Sequence, residues 1–122
     1  MRVLFKDLRK DLEYTLQHKK AFLGVERKLT GKNTLSGYLH DTDKLFLYLL
    51  FTKKETSKIH RSYASHHFEN VSNEKHMIQM IIDWECNRLT KLDKQENARQ
   101  YIDKTYPKQK HLFEPYLLSL GL

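Results

Sequence analysis

Cysteine, proline and glycine are scarce in this chain of 122 residues, which has one, two and four of them respectively. The single cysteine, Cys86, cannot form an internal disulfide, and this excludes both a disulfide-stapled scaffold and a four-cysteine zinc ribbon. Because so few glycines and prolines interrupt the chain, its composition favours helices over a turn-rich β architecture.

Long apolar runs are also missing. The longest one is Leu45–Phe51, whereas a membrane-spanning helix needs about 20 apolar residues. The N-terminal residues are charged from Lys6 onward and lack the apolar stretch of a secretory signal peptide. We therefore expect a cytoplasmic, soluble protein that has no membrane partner.

The overall balance of residues is that of a globular chain, with 39% hydrophobic and 30% charged residues. It predicts a single domain over residues 1–122. The formal charge is +7, which is compatible with a nucleic-acid or phosphorylated partner. Acidic residues interleave with the lysines, as in Lys6-Asp7 and Lys10-Asp11, and this is equally typical of a solvated helical surface.

Apolar residues recur at spacings of three and four along much of the chain, and no segment alternates in the way a β-strand does. The pattern predicts an all-α bundle of five to seven helices. Gly31 is expected to end the first helix, and Tyr106-Pro107 to separate the last two, because the residue before proline disfavours helix. The expected helices are Val3–Leu29, Thr34–His40, Leu45–Thr52, Glu55–Phe68, Glu74–Leu89, Gln95–Lys104 and His111–Leu120.

Two of these segments are predicted to supply the core. Leu45–Thr52 is apolar almost all round, which is typical of a central helix. The helix that starts at Glu74 is preceded by the capping residues Ser72-Asn73. Its expected core face consists of Met77, Met80, Ile81 and Trp84.

Histidines and aspartates are the candidates for chemistry. His40-Asp41 lies at the end of a predicted helix, and Asp83 lies inside the apolar run Met77–Trp84. A carboxylate among apolar residues is costly to bury unless a cation or hydrogen bonds compensate its charge. Neutral imidazoles and carboxylates are the ligands that bind divalent transition metals. The other histidines placed to contribute are His18, His60, His66 and His67.

The order of these residues resembles the HD-domain superfamily of metal-dependent phosphohydrolases. That family has a histidine in an early helix, a His-Asp doublet at a helix end and an aspartate on a later helix, matched here by His18, His40-Asp41 and Asp83. Within the superfamily, the order is most similar to a compact group of bacterial and phage proteins. The Gly-Tyr-Pro signature of the larger cyclic-dinucleotide phosphodiesterases is absent.

The resemblance implies specific roles for these residues. His18, His40, Asp41 and Asp83 would bind a divalent ion. The His66-His67 pair would resemble the extra ligands of binuclear members, and His60 and His67 are further candidate metal ligands. Lys44 would contact phosphate, and Asp41, Lys44, His66 and His67 would act in catalysis. One or two ions of Mn, Fe, Ni, Co or Zn are expected per chain. The substrate would be a nucleotide or another small phosphate ester.

Simpler interpretations of the same residues remain open. Asp83 could pair with Arg88, Lys44 could be a solvated lysine, and His18 could lie on the surface beside Lys19 and Lys20. The chain would then be a non-catalytic basic helical module for nucleic acid or a host protein, of the kind that phages encode. Chelator separates the two hypotheses, because nucleic-acid binding by such a module depends on salt and not on a bound metal.

Overall fold

The computed structural model describes residues 5–64, 67, 71, 73–91, 93 and 95–122. These residues contain no β-strand, so the predicted all-α class is confirmed. No helix among them is both long and apolar enough to cross a membrane. The helices are α1 (Phe5–Thr30), α2 (Leu35–Leu39), α3 (Thr42–Leu47), α4 (Lys53–Tyr63), α5 (Glu74–Thr90), α6 (Ala98–Thr105) and α7 (Lys110–Ser119), with a short 3-10 turn at Pro107–Gln109.

Helix α5 is the centre of the bundle, because it packs against α1 on one side and against α6 and α7 on the other. Toward α6 and α7, the buried side chains Met80, Ile81 and Trp84 form the main core with residues of those two helices. Toward α1, Ile82 and Cys86 pack against Phe22 and Val25. A helix buried on two faces must be apolar nearly all round, and residues 80–86 are all buried.

The segment Leu45–Thr52 does not form the predicted central helix. Helix α3 ends at Leu47, and a turn follows it. Phe46, Leu49 and Leu50 are 56–67% exposed, whereas Tyr48 is buried. A short apolar run does not by itself distinguish a buried helix from an exposed turn. Here Tyr48 is the one fully buried residue of the run, and its hydroxyl accepts a hydrogen bond from Thr15.

Capping residues set several helix ends, and they correct two predicted boundaries. Thr52 and Glu55 form a capping box, so α4 begins at Lys53 rather than Glu55. Asn97 and Gln100 do the same for α6, which begins at Ala98 rather than Gln95. Asn73 caps α5 as predicted. The predicted end of α4 at Phe68 is wrong, because the helix ends at Tyr63 and its C-cap residue Ala64 has an extended backbone.

A buried carboxylate fixes α2 against α1. Glu26 of α1 accepts hydrogen bonds from Asn33 Nδ2, from the Thr34 amide and from the Thr34 hydroxyl. Gly37 lies against the same carboxylate, and a Cβ atom there would approach Glu26 Oε1 to 2.3 Å. A larger residue at this position would therefore displace the carboxylate of Glu26 from its hydrogen bonds. The contact between Glu26 and α2 brings the end of α2, and with it the His-Asp doublet, onto the surface of α1.

Candidate metal centre

Three parts of the fold place imidazole and carboxylate groups around one point. His18 comes from the middle of α1, His40-Asp41 from the turn between α2 and α3, and Asp83 from the middle of α5. All four residues are buried. One ligand atom from each residue lies within 4.8 Å of the ligand atoms of the other three. The fold therefore gathers a cluster of two imidazoles and two carboxylates from residues up to 65 positions apart.

The distances within this cluster are within about 0.2 Å of those expected for ligands around a single ion. His18 Nε2 lies 3.2 Å from His40 Nε2. The two nitrogens lie 2.8 and 2.9 Å from Asp83 Oδ1 and 3.4 and 3.5 Å from Asp41 Oδ2. Ligands bound to one ion at about 2.1 Å are separated from their neighbours by roughly 3.0–3.4 Å. The donor set and its spacing fit a divalent cation.

The surroundings of His18 leave Nε2 available to a metal ion. Cys86 Sγ lies 3.8 Å from His18 Nδ1 and donates a hydrogen bond to the Asp83 carbonyl. If an ion took the place of the Nε2 proton that faces Asp83 Oδ1, the remaining ring proton would lie on Nδ1, directed at this sulfur. Burial raises the pKa of the Cys86 thiol, so the sulfur remains protonated. Cys86 is a buried apolar residue as predicted, and it also contacts a candidate ligand.

Asp83 is ionised despite its burial. Burial opposes the charged form, but hydrogen bonds from His18 and His40 outweigh it and hold the pKa of Asp83 well below its usual value. Arg88, the alternative partner considered for Asp83, instead pairs with Glu85 at 3.1 Å. The carboxylate therefore faces the cluster and not a surface arginine.

Asp41 also belongs to a second group of ligand atoms, with Asp43 and His60. Its Oδ2 atom faces the first group, and its Oδ1 atom lies 2.9 Å from His60 Nε2. The His67 ring stands edge-on to His60 with 5.1 Å between ring centroids. Asp41 is thus placed as a bridge between two potential ion positions, each with at least one imidazole.

Asp43 orients His60 through Nδ1, the ring nitrogen that does not face Asp41. Its Oδ2 atom accepts a hydrogen bond of 2.6 Å from His60 Nδ1 and another from the Tyr63 hydroxyl. Burial opposes ionisation of Asp43, yet these two bonds lower its pKa. Burial and Asp43 raise the pKa of Tyr63 to about 12, so the phenol remains a donor. A carboxylate that holds Nδ1 orients the histidine and presents Nε2 to a metal.

Lys19 holds the turn that carries the His-Asp doublet. Its ammonium donates hydrogen bonds of 2.7 Å to the Tyr38 carbonyl, 2.8 Å to the His40 carbonyl and 2.7 Å to the Thr42 hydroxyl. Asp41 adopts a left-handed backbone conformation with φ 57°, which is uncommon outside glycine. The three bonds span this unusual residue on both sides and keep its carboxylate aimed at the cluster.

Replacing Lys19 by methionine should loosen that turn. We expect a loss of about 1–3 kcal/mol of unfolding free energy, because the carbonyl groups of Tyr38 and His40 lose their charged donor. Divalent metal affinity should fall by about 10-fold or more, as it does when groups that orient ligands are removed. Chemical denaturation and metal titration measure the two effects. Lys20→Met, at the exposed neighbouring position, is the control and should change neither; equal behaviour of the two variants would refute the role of Lys19.

Lys44 is the third residue of α3, and its side chain extends into the site. Its Nζ atom lies 3.4 Å from Asp41 Oδ2, and its side chain is 21% exposed. Burial disfavours the ammonium form, but Asp41 and Asp83 outweigh it and raise the pKa of Lys44. The lysine is therefore charged. It lines a pocket of about 260 Å³ together with His18, Asp41, His60, His67 and Asp83.

The structure thus gathers most of the residues predicted from the sequence, and it buries His18, which excludes the surface interpretation. His66 lies outside the described residues. The sequence analysis missed Asp43 and Lys19. Asp43 could have been found from its place two residues after Asp41 in a short turn. No sequence signal indicates the role of Lys19. Because His18 lies on the inward face of α1, the lysine next to it would be expected to face solvent.

Comparisons of the chain with protein-family models, with curated proteins and with solved structures found no match.

Proposed function

We propose that this chain is a metal-dependent phosphohydrolase with an HD-like arrangement of ligands. The observation that carries the proposal is the convergence of His18, His40, Asp41 and Asp83 within 4.8 Å, with three of the four lining a pocket. A buried cluster of two imidazoles and two carboxylates, with ligand atoms spaced for one ion, is the donor set of a transition-metal site. Mn, Fe, Ni, Co and Zn all accept these ligands.

Within this proposal the residues of the chain have separate tasks. His18, His40, Asp41 and Asp83 hold the first ion, and Asp41 with His60 and His67 surrounds a second position. When bound, a divalent ion in such a site supplies a nucleophilic water at neutral pH and polarises a phosphoryl oxygen. Lys44 neutralises negative charge on the substrate phosphate. Asp43 and Lys19 orient His60 and the His-Asp turn respectively.

The pocket suits a small substrate whose phosphate reaches the floor. Its volume of about 260 Å³ lies at or slightly below the lower end of the range for small-molecule sites, roughly 300–1,000 Å³. The proposed substrate is a nucleotide or another small phosphate ester, with its phosphate between the carboxylate cluster and Lys44. A free, buried thiol such as that of Cys86 suits a reducing compartment, and we propose a cytoplasmic location.

A screen of phosphate esters tests the proposed activity. The full chain would be incubated with nucleoside mono-, di- and triphosphates and with phosphodiesters, in the presence of each candidate metal, and released phosphate or product would be measured. We expect hydrolysis that chelator abolishes and that His40→Gln lowers by at least about 100-fold. His111→Gln, an exposed histidine on α7, is the matched control. Turnover unaffected by chelator or by His40→Gln would contradict the proposal.

A further inference from the structure

We propose that divalent ions reach the metal centre through a second opening, separate from the pocket that would admit the substrate. This inference rests on the proposed function and concerns how the same site is loaded. The pocket of about 260 Å³ described above is called the main pocket here. A second cavity of about 310 Å³, the side pocket, is lined by His40, Asp41, Asp43 and His60 of the two ligand groups and by Tyr63 and Lys75.

The two pockets meet at Asp41 and His60. These two residues line both cavities, and Asp41 Oδ1 lies 2.9 Å from His60 Nε2, so the pair forms part of the wall between them. Of the other ligands, His40 lines the side pocket, whereas His18 and Asp83 line the main pocket. The ligand cluster is therefore open to two cavities.

The side pocket runs from the protein surface to buried ligands. At its outer end Tyr63 is 54% exposed, and Lys75 is also exposed. At its inner end His40, Asp41 and His60 are all buried. A hydrated ion that enters beside Tyr63 and Lys75 thus meets candidate ligands without passing through the main pocket.

The charge of the two linings favours the side pocket as the route for a cation. Among the described residues that line the main pocket, three lysines accompany the two carboxylates of the cluster, even if Arg61 is left out. One of them, Lys44, places its Nζ atom 3.4 Å from Asp41 Oδ2. In the described lining of the side pocket, one lysine, Lys75, accompanies the carboxylates of Asp41 and Asp43. A cavity whose lining is negative raises the local concentration of cations.

Donor groups on α5 line the side pocket along the direction of the cluster. His76 and Gln79 both line it. Asp83 follows Gln79 by four residues and His76 by seven, so the three share one face of the helix. About 10 Å of helix separates His76 from Asp83. Imidazole nitrogens and amide oxygens are both ligands for divalent ions, so this face supplies groups that can replace the water molecules of an entering ion.

The rate at which the metal-free full chain takes up Co²⁺ tests the inference without requiring turnover. Trp84 is the single tryptophan and directly follows Asp83, so bound Co²⁺ should quench its fluorescence in a stopped-flow measurement. Ser36→Phe narrows the side pocket and should slow uptake by about 5-fold or more, because restricted access lowers an association rate. Ser57→Phe makes the same change in the lining of the main pocket; it is the matched control and should not slow uptake.

A second pair of variants keeps the test independent of any folding defect that the larger side chains cause. Lys75→Glu and Lys53→Glu change the net charge equally, at exposed lysines that line the side pocket and the main pocket respectively. At low ionic strength, Lys75→Glu should raise the association rate of Co²⁺ by about 3-fold or more, and Lys53→Glu should raise it clearly less.

Uptake that Ser57→Phe slows as much as Ser36→Phe would overturn the inference, and so would uptake that Lys53→Glu accelerates as much as Lys75→Glu. Either result would leave the proposed function standing, because the ion would still bind. A chain that binds no Co²⁺ in its unmodified form would overturn the inference and the proposed function together.

Discussion

Replacing Asp41 by asparagine is expected to empty both ion positions, with metal affinity reduced by more than about 100-fold. Asp41 is the one residue that the two ligand groups share. Its Oδ2 atom faces His18 and His40, and its Oδ1 atom faces His60. Asparagine keeps the size of the side chain but replaces one carboxylate oxygen by an NH2 group and removes the negative charge, so neither position keeps an anionic ligand from this residue. Elemental analysis and metal titration measure the loss.

Asp43→Asn provides the matched control for this experiment. Asp43 contacts His60 and Tyr63 but is not a member of the group of His18, His40, Asp41 and Asp83. The variant should retain the ion of that group while losing orientation at His60, which weakens affinity at the second position by about 10- to 100-fold. If Asp41→Asn bound metal as tightly as the unmodified chain, the bridging role would be wrong.

Lys44→Met is expected to separate substrate handling from metal binding. An ammonium 3.4 Å from Asp41 Oδ2 repels a cation at the same carboxylate, so its removal should leave metal affinity unchanged or increase it. In the proposed hydrolysis, the same ammonium would stabilise phosphate charge that develops in the transition state. Hydrolysis should therefore fall by about 10- to 1000-fold, as for loss of one electrostatic contact to a reacting group.

Metal content and turnover should be measured side by side on this variant, with Lys58→Met as the control on a solvated lysine. Unchanged turnover in Lys44→Met would mean that Lys44 is no more than a structural partner of Asp41. Loss of bound metal would mean that the start of α3, which begins directly after Asp41, had been disturbed.

The helices could be predicted because their signals are local. Asn73 before α5, Gly31 after α1 and Pro107 after α6 each act through the backbone of their own neighbourhood, and periodic apolar residues marked the core faces of α1 and α5. The failure at Leu45–Thr52 has a tertiary cause. Whether Phe46 or Tyr48 is buried depends on how α3 meets α1 and α4, and a continuous apolar run holds no information on this.

The members of the ligand cluster could be identified from the sequence, but their arrangement in space could not. His40-Asp41 and Asp83 were recognisable from their order and from a carboxylate placed among apolar residues. The hydrogen bonds of Lys19 depend on how α1 lies against the turn. They join residues up to 23 positions apart. The bridging geometry of Asp41 likewise follows from its left-handed backbone, which no residue pattern in this segment indicates.

The metal content of the full chain, purified without a metal-affinity column, tests the central claim most directly. We predict one or two divalent ions per chain by elemental analysis, and a melting temperature that falls on chelation and recovers when Mn, Fe, Ni, Co or Zn is restored. Binding to the native state at 100 times the dissociation constant stabilises it by about 2.7 kcal/mol. A chain that carries no metal and whose melting temperature responds to none of these ions would contradict the account.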